Sequence, residues 1–258
     1  MERILNGGSK MKKQIVSHLI AGYPTLDGSF EVAKGLIDGG AYALEIQIPF
    51  SDPSADGPTI EAACSVSLKQ GFKVDDGFDL ITRIKEYSPS TPIYIMSYAS
   101  ILFTKGIDSF VKKSKEYGIA GLIIPDLTVG SDEGLYSIGE KYGVDIVPVL
   151  VTSVPKNRVK EILDGSSSSW VYIALRGGIT GSYTTITQDN IDYLNFVKEH
   201  GRKVMAGFGI QSREQVNILD EHVDASVVGS YFVNRSRKLS DESRDIYLGV
   251  KKSIEDLI

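Results

Sequence analysis

The sequence predicts one (β/α)8 TIM barrel of the α/β class, on three observations. Eight short runs rich in Ile, Val and Leu recur at residues 14–20, 43–48, 93–98, 121–124, 145–151, 170–174, 203–207 and 225–229. Stretches with the helical spacing of apolar residues lie between them. No Pro/Gly/Ser-rich linker divides the chain, so residues 1–258 read as a single domain. A doubly wound open sheet is the competing architecture, because a strand count alone does not separate the two.

The runs do not alternate cleanly between apolar and polar residues, as expected of parallel strands covered on both faces. After the first strand, an amphipathic stretch over 30–38 ends at Gly39-Gly40. A Pro/Gly-rich segment follows the second strand, leading to a helix near Pro58 and another over 74–87. The third and fourth strands precede helical patterns at 108–117 and 131–142, which close at Gly118 and Gly143. Glycines at such ends suit left-handed caps. The fifth strand leads to 156–164, and the serines at 166–169 form a loop before the sixth. The sixth is followed by a pattern over 189–200 that closes at Gly201, and the seventh by one over 212–220. An additional short helix is expected after Ser230, near a phosphate site, before a final helix over 241–258.

Composition excludes several classes. The 42% apolar and 24% charged fractions are those of an ordinary globular protein, not a disordered or fibrous one. Twenty-eight Lys and Arg against 33 Asp and Glu give a net charge of −5, and the densest basic cluster near the start is Lys10-Met11-Lys12-Lys13. That balance argues against a nucleic-acid or anionic-membrane surface. The single cysteine, Cys64, permits neither an intramolecular disulfide nor a cysteine-based zinc site. Residues 1–13 lack the pattern of a targeting signal, and the most apolar stretch, 118–127, is too short to span a membrane. A cytoplasmic location is expected.

In a barrel the chemistry gathers where the strands end. Glu45 is an acid within an apolar strand, a setting suited to proton transfer, and Asp56 lies just beyond that strand. Two carboxylates in different environments can divide the work of acid and base. Equally, Glu45 could be salt-bridged and Asp56 a helix cap. The last two strands end in Gly207-Phe208-Gly209 and Gly229-Ser230, where backbone N–H groups could approach a phosphate. Alternatively, these glycines only permit tight turns. Residues 176–185, with three glycines among small polar residues, suit either a closing flap or a plain flexible loop. Tyr98 and Tyr172 end strands where a planar substrate could lie, or they pack the core. His200 and His222 close predicted helices, and Cys64 reads as a buried, inert thiol. No metal-binding motif is present.

The run Ile48-Pro49-Phe50-Ser51-Asp52-Pro53-x-Ala55-Asp56-Gly57-Pro58 resembles the signature of the tryptophan synthase α chain family. The likeness continues through Ala21-Gly22-Tyr23-Pro24, Pro125-Asp126-Leu127, Gly178-Ile179-Thr180-Gly181, Gly207-Phe208-Gly209-Ile210 and Val228-Gly229-Ser230. The resemblance implies a barrel that cleaves indole-3-glycerol phosphate to indole and glyceraldehyde 3-phosphate. It implies no cofactor of its own and an αββα complex with a pyridoxal-phosphate β chain. By the same resemblance Glu45 is the general acid/base and Asp56 holds the indole N–H. Tyr172 lies near the substrate, Thr180 meets Asp56 from the flap, and Gly181, Gly207, Gly209, Gly229 and Ser230 cradle the phosphate.

The chain departs from the family's usual pattern at four positions. Gln47 stands in place of Gly, Ser100 of Asn, Thr128 of Pro, and His18 of an aromatic residue. Gln47, Ser100 and Thr128 are expected near the face offered to the β chain, where they would alter docking. Two other readings share much of this pattern. One is a non-catalytic barrel subunit that regulates a β partner. The other is a different phosphate-binding barrel enzyme, such as a sugar-phosphate isomerase.

Overall fold

A computed structural model describes residues 13–175 and 184–258. The strands are β1 (Ile15–Ile20), β2 (Ala43–Gln47), β3 (Ile93–Met96), β4 (Gly121–Ile123), β5 (Asp145–Ile146), β6 (Val149–Val151), β7 (Trp170–Ala174), β8 (Lys203–Gly207) and β9 (Ala225–Val228). They form one sheet in the order β5-β4-β3-β2-β1-β9-β8-β7-β6, and every pairing is parallel.

The two ends of that order are consecutive in the chain, which closes the barrel. The expected fifth strand is a single run that changes neighbours at Val147-Pro148. Val147 N–H still donates to Leu122 C=O on the β4 side, at 2.9 Å. Pro148 has no N–H to give, but its carbonyl accepts from Tyr172 N–H on the β7 side, at 2.9 Å. Nine segments thus make the eight-stranded ring that the sequence predicts.

The helices are α1 (Leu26–Asp38), α2 (Pro58–Lys69), α3 (Val74–Tyr87), α4 (Ala99–Lys105), α5 (Ile107–Glu116), α6 (Leu135–Tyr142), α7 (Lys156–Asp164), α8 (Gln188–Lys198), α9 (Arg213–Leu219), α10 (Ser230–Asp241) and α11 (Ile246–Glu255). Of these, α4 was not expected. Its N-terminus is secured from a distance, since the Asp126 carboxylate accepts from Ala99 N–H at 3.0 and 3.1 Å. The helix expected after Ser230 begins at that residue and runs for 12 residues. Gly143 ends α6 in the left-handed conformation (φ 64°, ψ 43°), as its position suggested.

Strand alternation sorts the core into two layers. Leu44, Ile46 and Ile48 join a cluster between the sheet and the helices. The barrel interior holds Val16, Ala43, Tyr94, Met96, Tyr172, Met205 and Val227 among others. Because side chains alternate, the inward parity of Ala43 also turns Glu45 and Gln47 inward, and that of Val16 turns His18 inward. The β1–β2 register sets His18 beside Glu45. Polar residues therefore replace apolar ones at the upper level of an otherwise apolar barrel.

Candidate active site

A cavity of about 560 Å³ opens at the strands' C-terminal ends. That volume lies within the roughly 300–1,000 Å³ usual for small-molecule sites. His18, Glu45, Asp56, Tyr172, Gly209, Gly229 and Ser230 all contribute to its wall.

Glu45 is 3% exposed, and its Oε1 lies 3.4 Å from His18 Nδ1. Its Oε2 has no hydrogen-bond partner among the described residues, and neither does His18 Nε2. Burial opposes a charge on His18, but the charge of Glu45 and their hydrogen bond outweigh it, with smaller help from Asp56 and Gln47. The imidazole pKa therefore lies above its ordinary 6.5. The salt-bridged reading of Glu45 therefore does not take it away from the cavity, since it is paired with His18 and lines the wall at once.

Asp56 sits in the loop after β2, 4% exposed. Its Oδ2 accepts from Tyr98 O–H at 2.8 Å and from Gln47 Nε2 at 2.8 Å. Burial raises the Asp56 pKa, and the positive charge of His18 and these two donors only partly reverse it. The helix-cap alternative fails, because α2 has Gly57 at its N-cap and no side-chain cap bond. Tyr98 is not among the cavity-lining residues. It stacks on Phe50 at 5.3 Å between ring centroids, and its hydroxyl also accepts from Ala55 N–H at 3.1 Å. It holds Asp56 and its loop rather than offering a surface to a ligand. Cys64 is fully buried, with its thiol pushed up to about 12 by burial, as expected of an inert residue.

The second wall comes from β8 and β9. Phe208 and Gly209 both have positive φ, 94° and 76°, so the chain turns sharply as it leaves β8. For a bulky residue such as Phe208 this conformation costs roughly 1–3 kcal/mol, and the surroundings must enforce it. Gln215, 2% exposed, does so. Its Nε2 donates to Gly209 C=O at 3.0 Å and Thr184 C=O at 2.7 Å, while its Oε1 accepts from Gln211 N–H at 2.7 Å and Ser212 N–H at 3.1 Å. Gly207 serves close approach: a Cβ there would lie 2.8 Å from Val227 C=O and 3.2 Å from the Tyr172 hydroxyl. Gly229 is the N-cap of α10 and offers no side-chain cap, so the helix meets the cavity with bare N–H groups. A Cβ at Gly229 would touch His18 at 3.4 Å. Thr180 and Gly181 lie outside the described residues, as does the rest of 176–183 within the flap expected over 176–185.

The sequence model for "Tryptophan synthase alpha chain" matches residues 6–256. The chain belongs to this family. It is 41% identical over 239 residues to the tryptophan synthase alpha chain of Helicobacter hepaticus, covering 90% of this chain and 89% of that one. The Methanocaldococcus jannaschii alpha chain is 36% identical over 239 residues, covering 92% and 84%. Among solved structures, the tryptophan synthase complex from Pyrococcus furiosus matches at 30% identity with a TM-score of 0.83, covering 95% of this chain and 97% of that one.

Within the tryptophan synthase alpha family, three of this chain's departures fall at the site. Gln47 is fully buried on β2 and bound to Asp56, so its expected place on the docking face is corrected. The error lies in parity: residues 43, 45 and 47 share one face of the strand. His18 also lines the cavity. Ser100 is exposed, as expected of a surface face; Thr128 is exposed as well but lies on the cavity wall. The sequence reading left His18, Gln47 and Gln215 without roles in the site. Strand parity signals the first two; the Ser212-x-x-Gln215 spacing signals a capping box, but nothing local marks the reach of Gln215 to Gly209 and Thr184.

Proposed function

We propose that Glu45 and Asp56 carry the chemistry by which this chain, a lyase of the tryptophan synthase α type, cleaves indole-3-glycerol phosphate to indole and glyceraldehyde 3-phosphate. The observation that supports this most is a single cavity walled by both carboxylates and by the Gly209, Gly229 and Ser230 backbone. The phosphate rests against that backbone and the N-terminus of α10, where N–H groups and the helix dipole favour an anion. The indole ring lies over Tyr172. Glu45 gives a proton to the indole carbon bearing the side chain, which leaves a cationic ring nitrogen. Asp56 accepts the N–H of that nitrogen and balances its charge. The carbon–carbon bond then breaks, and its electron pair returns to the ring. The adjacent hydroxyl becomes the aldehyde carbonyl, and its proton passes to the ionised Glu45, restoring the catalyst. The single domain works beside the β chain of the same pathway, in the cytoplasm.

The test is release of indole from indole-3-glycerol phosphate by the purified chain, alone and with a β chain. A folded chain that binds glycerol 3-phosphate yet releases no indole in either mixture would leave a non-catalytic barrel subunit as the better account.

A further inference from the structure

We propose that His18 is the proton-holding partner of Glu45, so that the two side chains carry one exchangeable proton between them at the reaction centre. The inference rests on the reading of Glu45 as the acid/base. Both side chains are buried, at 6% and 3% exposure, and their nearest atoms are 3.4 Å apart across adjacent strands. Both line the cavity, and each keeps one polar atom, Nε2 and Oε2, unpartnered among the described residues. A buried histidine placed only for packing would not need a carboxylate beside it. A buried carboxylate with a free oxygen at a ligand cavity is costly unless a counter-charge is close.

The groups facing His18 favour a proton on the pair. From β2 come Glu45 and, one level above, Gln47; from the following loop comes Asp56. The neighbouring β9 side offers the backbone of Gly229 and no charge. Tyr172 faces the two carboxylates from β7, and burial holds its hydroxyl well above its ordinary range, so it stays neutral. One cation among two anionic groups keeps its proton more readily than an isolated histidine.

Such a pair balances the reaction. The proton moves from His18 Nδ1 to Glu45, and from Glu45 to the indole carbon. The hydroxyl proton released on bond cleavage returns to Glu45 and, after product leaves, to His18. No outside donor or acceptor is required. His18 acts through Glu45 and is a positioning residue. Its distinctive consequence concerns pH. The last proton leaves a two-site pair at a higher pH than it would leave either site alone.

The experiment compares wild type with His18→Asn, whose amide nitrogen can take the place of Nδ1 as a donor but cannot titrate. The variant's alkaline limb of kcat should move to lower pH, cutting kcat about tenfold or more at mildly alkaline pH. KM should stay within about twofold, since substrate contacts are kept. The chain has three histidines, so nitrogen NMR of the labelled protein can resolve His18 by its absence from the variant. Both ring nitrogens should be protonated near pH 7, and Glu45→Gln should lower the titration midpoint. A neutral His18 at pH 7 overturns the proposal, and so does a variant with an unmoved kcat profile. If wild type releases no indole, the reading of the site fails instead, and the NMR titration still decides whether the pair holds a proton. The same titration decides if His18→Asn does not fold.

Discussion

Glu45 and Asp56 are both buried carboxylates, but their partners differ, and so do the expected effects of changing them. Glu45 has one oxygen without a hydrogen-bond partner among the described residues and the other paired with His18. Glu45→Gln should abolish indole release while leaving glycerol 3-phosphate binding intact, because losing an acid/base group typically costs ~10²–10⁴-fold or more. Turnover near wild type in a folded variant would remove Glu45 from the mechanism. Asp56 has two donors on one oxygen. Tyr98→Phe takes away one of them and also leaves Ala55 N–H without its acceptor, a stability cost of about 1–3 kcal/mol. The Tyr98 bond lowers the Asp56 pKa against the upward push of burial, so its loss raises that pKa further. The proposed mechanism needs ionised Asp56, so the acidic limb of kcat/KM should move to higher pH. An unshifted limb would show that Tyr98 does not tune Asp56. The acids themselves were legible in sequence as carboxylates in an apolar strand and a Pro/Gly loop. Their partners were not, because Tyr98 reaches Asp56 across 42 positions and only the fold brings them together.

At the scale of elements, local pattern found what local physics determines. Strands appeared as apolar runs, and helix ends at glycines such as Gly143. The failures have tertiary causes. The short helix α4 follows β3 after only two residues and relies on Asp126 for its N-terminal bond, so the run over 93–98 looked like one longer strand. The turn after β8 depends on Gln215 in the same way. Its side chain replaces the missing backbone bonds of a strained segment and ties Gly209 to Thr184. Gln215→Ala should remove the five hydrogen bonds of this side chain, lower stability by about 2–4 kcal/mol and loosen the wall proposed to hold the phosphate. We expect KM for indole-3-glycerol phosphate to rise more than kcat falls, with Gln215→Glu restoring only the acceptor half. Equal loss in both constants would point to general unfolding. In Gly209→Asp the strain of positive φ adds to repulsion of the dianion, so KM should rise further still; an unchanged KM would take this turn out of the phosphate site.

For the whole molecule, closure of the ring brings the first and last elements together. The barrel is joined through β1 and β9, and outside it α11 lies against α1 so closely that a Cβ on Gly35 would sit 2.6 Å from Tyr247 C=O. Asp38 accepts from Tyr87 and Tyr247 hydroxyls, each at 2.7 Å, which ties α1, α3 and α11 into one wall. The rigid frame fixes which side chains face inward and which remain for a partner, and it separates the family departures into two kinds. Ser100 is exposed and away from the cavity wall, whereas Gln47 is wholly interior. Replacing each with the residue usual in the family should therefore give different results. Ser100→Asn should change affinity for a β chain from another source, by up to about tenfold if it relieves a misfit of ~1.4 kcal/mol. This change should leave indole release by the isolated chain almost as it was. Gln47→Gly should do the reverse. It removes a donor to Asp56 and empties buried volume, so activity and stability fall, while β-chain affinity stays within about twofold. Titrating each variant with the β chain, and following indole release and binding separately, distinguishes the two. A Gln47→Gly chain that binds the β chain much more tightly, with activity intact, would return Gln47 to the docking face and undo its role beside Asp56.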